Sequence, residues 1–133
     1  RARSLLLDVM LSVYRSTLDV ETDALSDGFR LGTLIDFIEL NYAEQLQLEE
    51  LAGMMETSPS HLSRVFRHET GMPLFEYINR TRIRKACVLL RRTDFTITRI
   101  AIDVGYNNLS FFNRYFRRVM RCSPREYRRS VTS

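Results

Sequence analysis

Glycine and proline are scarce in this chain, five and three of its 133 residues, and no stretch alternates apolar with polar side chains as a half-buried strand would. Those two absences leave an all-α fold as the expectation. Only two cysteines are present, Cys87 and Cys122, and their spacing fits neither a disulfide framework nor a metal site. Cys87 lies among apolar residues of an expected helix and reads as a buried, reduced thiol. No apolar run approaches the roughly 20 residues that span a bilayer. The nearest, Leu5 to Tyr14, is interrupted by Asp8 and Ser12, so a membrane partner is not expected. The first residue is Arg and no signal-peptide pattern follows, which reads as a piece of a longer cytoplasmic, nucleoid-associated protein. Nothing in the residue pattern requires a cofactor.

Lysine is the last scarce residue, with a single copy at Lys85, and arginine takes its place. The net charge of +4 conceals a sorting by position. Residues 1–57 carry four arginines against eleven acids, net −7, and residues 58–133 carry fifteen arginines and one lysine against five acids, net +11. A basic half of that size is the electrostatic footprint of a polyanion, and a merely solvated surface would not sort its signs in this way. The dominance of arginine favours forked recognition of phosphates and guanines over point-charge attraction.

The sequence also repeats itself, and the second run of each copy lies in the basic half. Residues 48–69 read LEELAGMMETSPSHLSRVFRHE and residues 97–119 read ITRIAIDVGYNNLSFFNRYFRRV. Each is a short amphipathic run with Ala beside an aliphatic (Leu51-Ala52, Ile100-Ala101), then a turn, then a second amphipathic run ending in Phe-Arg. Arg64 and Arg114, Phe66 and Phe116, Arg67 and Arg117 stand fifty positions apart. Two helix-turn-helix units in tandem are suited to entering two successive major grooves of DNA.

The remaining helices follow from periodicity and caps. A helix over about 2–18 places Leu7, Leu11, Tyr14 and Leu18 on one stripe. Residues 19–30 are acidic and aperiodic and read as a linker. A helix over 31–42 turns Leu34, Ile35, Ile38 and Tyr42 inward. The first unit has helices at about 48–55 and 59–69, with Ser58 as N-cap, Pro59 in the first turn and Gly71 as the left-handed stop. A helix over 74–91 buries Ile83, Cys87 and Leu90 and points Arg80, Arg84 and Arg91 elsewhere. The second unit has helices at about 97–104 and 109–119 with Asn108 as N-cap, and a short helix over 124–129 begins at Pro124. The expected division is 1–30 for an N-terminal helix and linker from an upstream region, 31–73 for the first subdomain, 74–92 for the linker helix and 93–133 for the second subdomain.

At 100° per residue, Leu62, Val65, Phe66 and Glu69 share one face of the first candidate recognition helix, and Ser60, Ser63, Arg64 and Arg67 the other. In the second, Phe112, Tyr115, Phe116 and Val119 face in, while Ser110, Asn113, Arg114 and Arg117 face out. Short hydroxyls, an amide and an arginine on one face are what base-edge reading requires: Arg grips guanine O6 and N7, Asn grips adenine, and Ser serves several bases. Ser60, Ser63, Arg64, Ser110, Asn113 and Arg114 are therefore the candidate base contacts. Arg67, Arg117 and Arg118, later in the helices, are the candidate phosphate contacts. The helix between the units spans roughly 27 Å at 1.5 Å per residue, close to the spacing of about 34 Å between successive major grooves.

The stretch 31–129 resembles the DNA-binding domain of the AraC/XylS family of bacterial transcription regulators. The resemblance is carried by LEELAGMMETSPSHLSRVFRHETG, FEYINRTRIRKACVLL and IAIDVGYNNLSFFNRYFRRVMRCSPREYR, about three quarters of the chain. It implies two helix-turn-helix subdomains joined by a linker helix, homeodomain-like three-helix units with one recognition helix each. The base-reading positions of the family fall on Ser60, Ser63 and Arg64 and on Ser110, Asn113 and Arg114. Arg121 departs from the pattern, since similar proteins carry Gly at that helix end; a left-handed backbone there would cost on the order of 1 kcal/mol for a non-glycine residue, and otherwise the turn differs. Family members commonly carry an upstream domain that binds a small effector or makes the dimer, and residues 1–30 resemble none. Their apolar stripe suits either an interdomain or dimerisation helix or packing onto the first subdomain.

The expected function is sequence-specific binding of promoter DNA in a regulator that activates transcription, with RNA polymerase as a further partner and a homodimer formed through the N-terminal region or an absent domain. A different class of reading is an appendage of an enzyme, as in a DNA-repair alkyltransferase that contains such a module. That role needs an activated Cys nucleophile, and Cys87 reads as buried while Cys122 lies in a basic turn without an obvious base. A module that mainly contacts RNA polymerase is the third reading. A metal site is not expected, because His61 and His68 share their helix face with no acidic or Cys partner; they read as packing groups or phosphate neighbours.

Overall fold

Helices account for most of the described backbone, as the scarcity of glycine and proline predicts. The computed structural model describes residues 23–132, with side chains from Arg30 onward. The expected helix over 2–18, with Leu7, Leu11, Tyr14 and Leu18, lies outside the described residues. Among the described residues there are seven helices and no strand: α1 Asp23–Asn41, α2 Leu48–Met54, α3 Pro59–Thr70, α4 Leu74–Arg92, α5 Ile97–Asp103, α6 Leu109–Met120 and α7 Pro124–Thr132. The chain forms two compact units, divided between Leu74 and Phe75, so that α4 beyond its first residue counts with the second unit.

The first unit is built on α1, α2 and α3. Its core holds Leu34, Phe37, Ile38, Leu51, Met54, Leu62 and Phe66, all essentially inaccessible to water. Helix α1 starts at Asp23, eight residues before the expected start at Leu31. An acidic segment without apolar period reads as linker, yet acids are favourable in the first turns of a helix. The inward stripe also differs from the expected one. Phe37 is fully buried, whereas Ile35 and Tyr42 are half-buried. The stripe is Leu31, Leu34, Ile38 and Asn41, with Phe37 beside it, and Asn41 satisfies itself by donating from Nδ2 to the Phe37 carbonyl at 2.9 Å.

The second unit is built on α4 to α7. Ile83, Cys87 and Leu90 of α4 are buried as expected, and Arg80, Arg84 and Arg91 are exposed. The three buried residues of α4 join Ile100, Val104, Tyr106, Phe112 and Phe116 in the interior. Arg128 of α7 closes the end of α4, donating from Nε to the Leu90 carbonyl and from Nη2 to the Thr93 carbonyl, both at 3.2 Å. Those bonds supply partners to carbonyls that a helix end leaves free, from a cation placed where the helix dipole favours one.

Each helix-turn-helix is closed in the same way. Helix α2 packs on α3 and α5 on α6. The Thr57 N–H donates to the Ala52 carbonyl at 3.0 Å, and the Tyr106 N–H donates to the Ala101 carbonyl at 2.9 Å. A left-handed residue makes each turn, Glu56 at φ 56° and Gly105 at φ 112°. The turns differ by one residue: Ala52 and Ala101 are 49 apart, whereas the N-caps Ser58 and Asn108 are 50 apart. The extra residue is absorbed in the second turn, before the N-cap, so α3 and α6 keep a common register.

Candidate nucleic-acid interface

The recognition helices α3 and α6 begin and end alike. Ser58 Oγ accepts the His61 N–H at 3.1 Å, and Asn108 Oδ1 accepts the Phe111 N–H at 2.9 Å. These caps fix the first turn by satisfying a backbone donor that the helix itself leaves free. At the other end Gly71 at φ 82° and Arg121 at φ 65° are both left-handed, and each donates its N–H to a carbonyl four residues back, Arg67 at 2.9 Å and Arg117 at 2.8 Å. The departure at Arg121 therefore leaves the turn unchanged and puts a non-glycine residue in a strained conformation.

Between those ends, two aromatic or aliphatic anchors one turn apart hold each helix to its unit, Leu62 and Phe66 in α3 and Phe112 and Phe116 in α6, all 3% exposed or less. Val65, Tyr115 and Val119 are half-buried, and Glu69 is exposed, paired with His68 at 3.2 Å. Glu69 falls on the inward stripe by angle alone, because the last turn of α3 runs beyond the core.

All six candidate base contacts are exposed: Ser60, Ser63 and Arg64 on α3, and Ser110, Asn113 and Arg114 on α6. So are the candidate phosphate contacts Arg67, Arg117 and Arg118. The structure thus brings Ser60, Ser63, Arg64 and Arg67 to one face of the first unit. It brings Ser110, Asn113, Arg114, Arg117 and Arg118 to the surface of one helix of the second. Several arginines have local partners. Arg64 Nη2 lies 3.1 Å from His61 Nδ1. Arg114 Cζ is 5.6 Å from the centre of the Phe111 ring, and Arg118 Cζ is 5.4 Å from that of Tyr115. Arg117 is 3.9 Å from the Glu126 carboxylate, a solvent-exposed pair of little strength. Glu126 is otherwise engaged in a reciprocal cap at the start of α7: the Ser123 N–H donates to its Oε1 at 2.8 Å, and its own N–H donates to Ser123 Oγ at 3.0 Å. The bonds that its carboxylate takes from Ser123, more than the nearby arginines, hold the Glu126 carboxyl below its ordinary value.

A buried cluster behind α6 was not legible in the sequence. Tyr106, 3% exposed, donates its hydroxyl proton to Asn79 Oδ1 on α4 at 2.6 Å. The Arg82 guanidinium sits 5.4 Å from the centre of the same ring. Burial raises the Tyr106 phenol well above its ordinary value, and burial also lowers Arg82. Tyr106 packs edge-on against Phe111 and tilted against Phe112, so α4 is tied to the first turn of the recognition helix. Asn79 and Tyr106 are 27 residues apart and carry no motif, so only the fold relates them.

Chemistry of a catalytic kind finds little support in the cysteines. Cys87 is buried, and burial raises its thiol, against a smaller opposing effect from its hydrogen bond with Tyr127. A protonated, enclosed thiol is a poor nucleophile. Among the described residues no group of three or more His, Cys, Asp or Glu side chains could hold a metal ion. Among them also no helix is long and apolar enough to cross a membrane.

Comparison with known proteins agrees with this geometry. Residues 51–130 match a helix-turn-helix domain family. The transcriptional activator RhaR of Mannheimia succiniciproducens is 27% identical over 127 residues, and RhaS of Klebsiella pneumoniae is 32% identical over 127 residues. Both alignments cover 96% of this chain but only 46% and 45% of those proteins, so the chain spans less than half the length of either. Among solved structures, the C-terminal domain of AraT, a response regulator from Geobacillus stearothermophilus, is 31% identical with a TM-score of 0.73, over 76% of this chain and 84% of that one. The DNA-binding domain of the global transcriptional factor AdpA, solved in complex with a target DNA, is 26% identical with a TM-score of 0.72, over 75% of this chain and 90% of that one. The chain belongs to the AraC-type helix-turn-helix family of DNA-binding transcription regulators.

Proposed function

We propose that α3 and α6 are two reading heads that enter successive major grooves of a bacterial promoter, and that the protein activates transcription from it. The observation that carries this is the shared plan of the two helices: the same cap, the same left-handed stop, the same pair of buried anchors, and an exposed face of short polar side chains and arginine. Ser60, Ser63 and Arg64 are assigned to base edges of one groove and Ser110, Asn113 and Arg114 to the next, with Arg67, Arg117 and Arg118 on phosphates. In this reading residues 31–73 and 93–133 are the two subdomains, and residues 74–92 connect them. RNA polymerase is the second partner, in keeping with the activators RhaR and RhaS among the relatives. A homodimer formed through the N-terminal region or a further domain completes the regulator. The site is a binding site and not a catalytic one, and the setting is the bacterial cytoplasm.

Selection of binding sites from a random duplex pool, with the 133-residue chain as bait, tests the reading. The expected product is a site with two preferred blocks whose centres lie about 10 base pairs apart. A single block, or binding without sequence preference, refutes the tandem reader.

A further inference from the structure

His61 and Phe111 stand fifty positions apart, each the third residue of its recognition helix and each three residues before an arginine assigned to a base. The N–H of each is the one its N-cap side chain accepts, so the backbone beneath both is fixed. Each side chain then meets the arginine one turn on. Arg64 Nη2 is 3.1 Å from His61 Nδ1. A guanidinium has only donors, so Nδ1 is the acceptor and the ring proton sits on Nε2. Arg114 lies over the ring of Phe111 at 5.6 Å. The two contacts differ in chemistry and coincide in place.

Phe111 is itself held. Its ring meets the buried Tyr106 edge-on at 5.8 Å and Tyr115 at 6.1 Å, and Tyr106 is anchored to Asn79. Yet 41% of Phe111 remains exposed, on the side of the helix that carries Ser110 and Arg114. His61 is exposed too and borders a cavity of about 90 Å³ with Arg30, Leu31, Met55 and Glu56. Large rings left in water beside a long cation are poorly explained by core packing. Their use is clear if they hold the cation, because an arginine ordered before DNA arrives loses less freedom on binding.

We propose that His61 and Phe111 are positioning residues that brace Arg64 and Arg114 in their base-reading conformations, one through a hydrogen bond and the other through its ring face. This rests on the assignment of both arginines to bases. An exposed cation–π contact corresponds to about two- to fivefold in an equilibrium constant, which sets the size of the effect.

The test measures, with the whole chain at fixed salt, the affinity ratio between the selected site and the same site changed at the base pair read by Arg114. Phe111→Leu keeps an apolar side chain and removes the ring face; it should lower that ratio about two- to fivefold. Melting temperature should fall only by the few degrees that the lost edge-on contacts with Tyr106 and Tyr115 are worth, and affinity for random DNA should be unchanged. Phe111→Tyr should retain the ratio. His61→Leu should do the same at the base pair read by Arg64, and His61→Phe, which exchanges one brace for the other, should retain most of it. In an Arg114→Ala background Phe111→Leu should have no further effect on the ratio. Additive losses would mean that Phe111 touches a base itself, and equal losses on every sequence would mean a packing role; either overturns the brace. If Arg114→Ala relaxes the base pair and Phe111→Leu does not, the brace fails and the reader stands. If Arg114→Ala relaxes nothing, the reader fails and takes the brace with it.

Discussion

The two left-handed helix ends invite a matched pair of substitutions with opposite signs. Gly71 and Arg121 occupy the same place in the repeat, at φ 82° and φ 65°. A side chain in that conformation costs about 1–2 kcal/mol because its Cβ crowds the following carbonyl. Glycine avoids that cost but loses about 0.4–1 kcal/mol through the greater freedom of its unfolded chain. The difference leaves glycine ahead by about 0.5–1 kcal/mol at both positions. A Cβ built at Gly71 would meet no atom within 4 Å, so Gly71→Ala carries this backbone cost and no clash. Gly71→Ala should thus destabilise the first unit by about 0.5–1 kcal/mol, and Arg121→Gly should stabilise the second by a similar amount. Arg121→Ala separates charge from conformation. It removes a cation from a helix C-terminus, a loss of a few tenths of a kcal/mol at an exposed site, without relieving the strain. Urea denaturation followed by hydrogen exchange at the amides of α3 and α6 assigns each change to its unit. At this size of unit 1 kcal/mol moves a melting transition by about 4–8 °C. Arg121→Gly no more stable than Arg121→Ala, or Gly71→Ala without effect, would refute the conformational account.

Other perturbations address binding and the interior. Arg64→Ala and Arg114→Ala should each cost about 1–3 kcal/mol on the selected site and relax one base pair apiece, about 10 base pairs apart, with little change in thermal stability because both side chains are exposed; relaxation of the same base pair by both, seen in competition assays, would sink the tandem arrangement. Arg117→Ala should weaken binding to all sequences alike and reduce the slope of log affinity against log salt by about one unit, whereas a changed sequence preference at constant slope would place Arg117 on a base. Tyr106→Phe keeps the buried ring and strands Asn79 Oδ1, so the second unit should lose about 1 kcal/mol in denaturant titration; an unchanged midpoint would show that the bond contributes nothing. The Glu126 carboxyl is held below its ordinary value, so the stability it lends is complete above the ordinary glutamate range and is lost as pH falls through the lowered value. Glu126→Gln should remove that part of the acid dependence, and an identical pH–stability curve for the variant would contradict the assigned cap.

Helices α3 and α6 and their exposed faces were legible because three independent signals fall in one register. The fifty-residue repeat, the caps at Ser58 and Asn108, and the buried pairs Leu62–Phe66 and Phe112–Phe116 each locate the same helices. Any one alone would leave the exposed serines and arginines as ordinary surface. The start of α1 was not legible, because its first turns carry no apolar period. Phe37 was passed over because an aromatic between two stripe positions does not announce its side. The Tyr106–Asn79 bond and the contacts of His61 and Phe111 were beyond reach for another reason. They depend on side-chain direction and on pairing between distant elements, and helical angle predicts neither.

Charge and architecture together suggest how the two heads divide their work. Residues 75–133 carry thirteen arginines and one lysine against four acids, net +10, while residues 1–74 carry six arginines against twelve acids, net −6. The boundary between the compact units is therefore also a boundary of sign. Attraction to a phosphate backbone is sequence-independent and scales with the cations placed on it, so on the proposed reading the second unit supplies most of the encounter rate and the general affinity. On the same reading the first unit, with Arg67 as its assigned phosphate contact, draws less of its affinity from charge. What it offers is confined to α3, where Arg64 and Arg67 stand exposed amid an acidic unit. Such a head would gain little from a wrong sequence, because it has few assigned phosphate contacts to fall back on. It adds affinity when Ser60, Ser63 and Arg64 find their partners. On the proposed reading, opposite charges on two copies of one motif suit the basic copy to capturing DNA and the acidic copy to testing it.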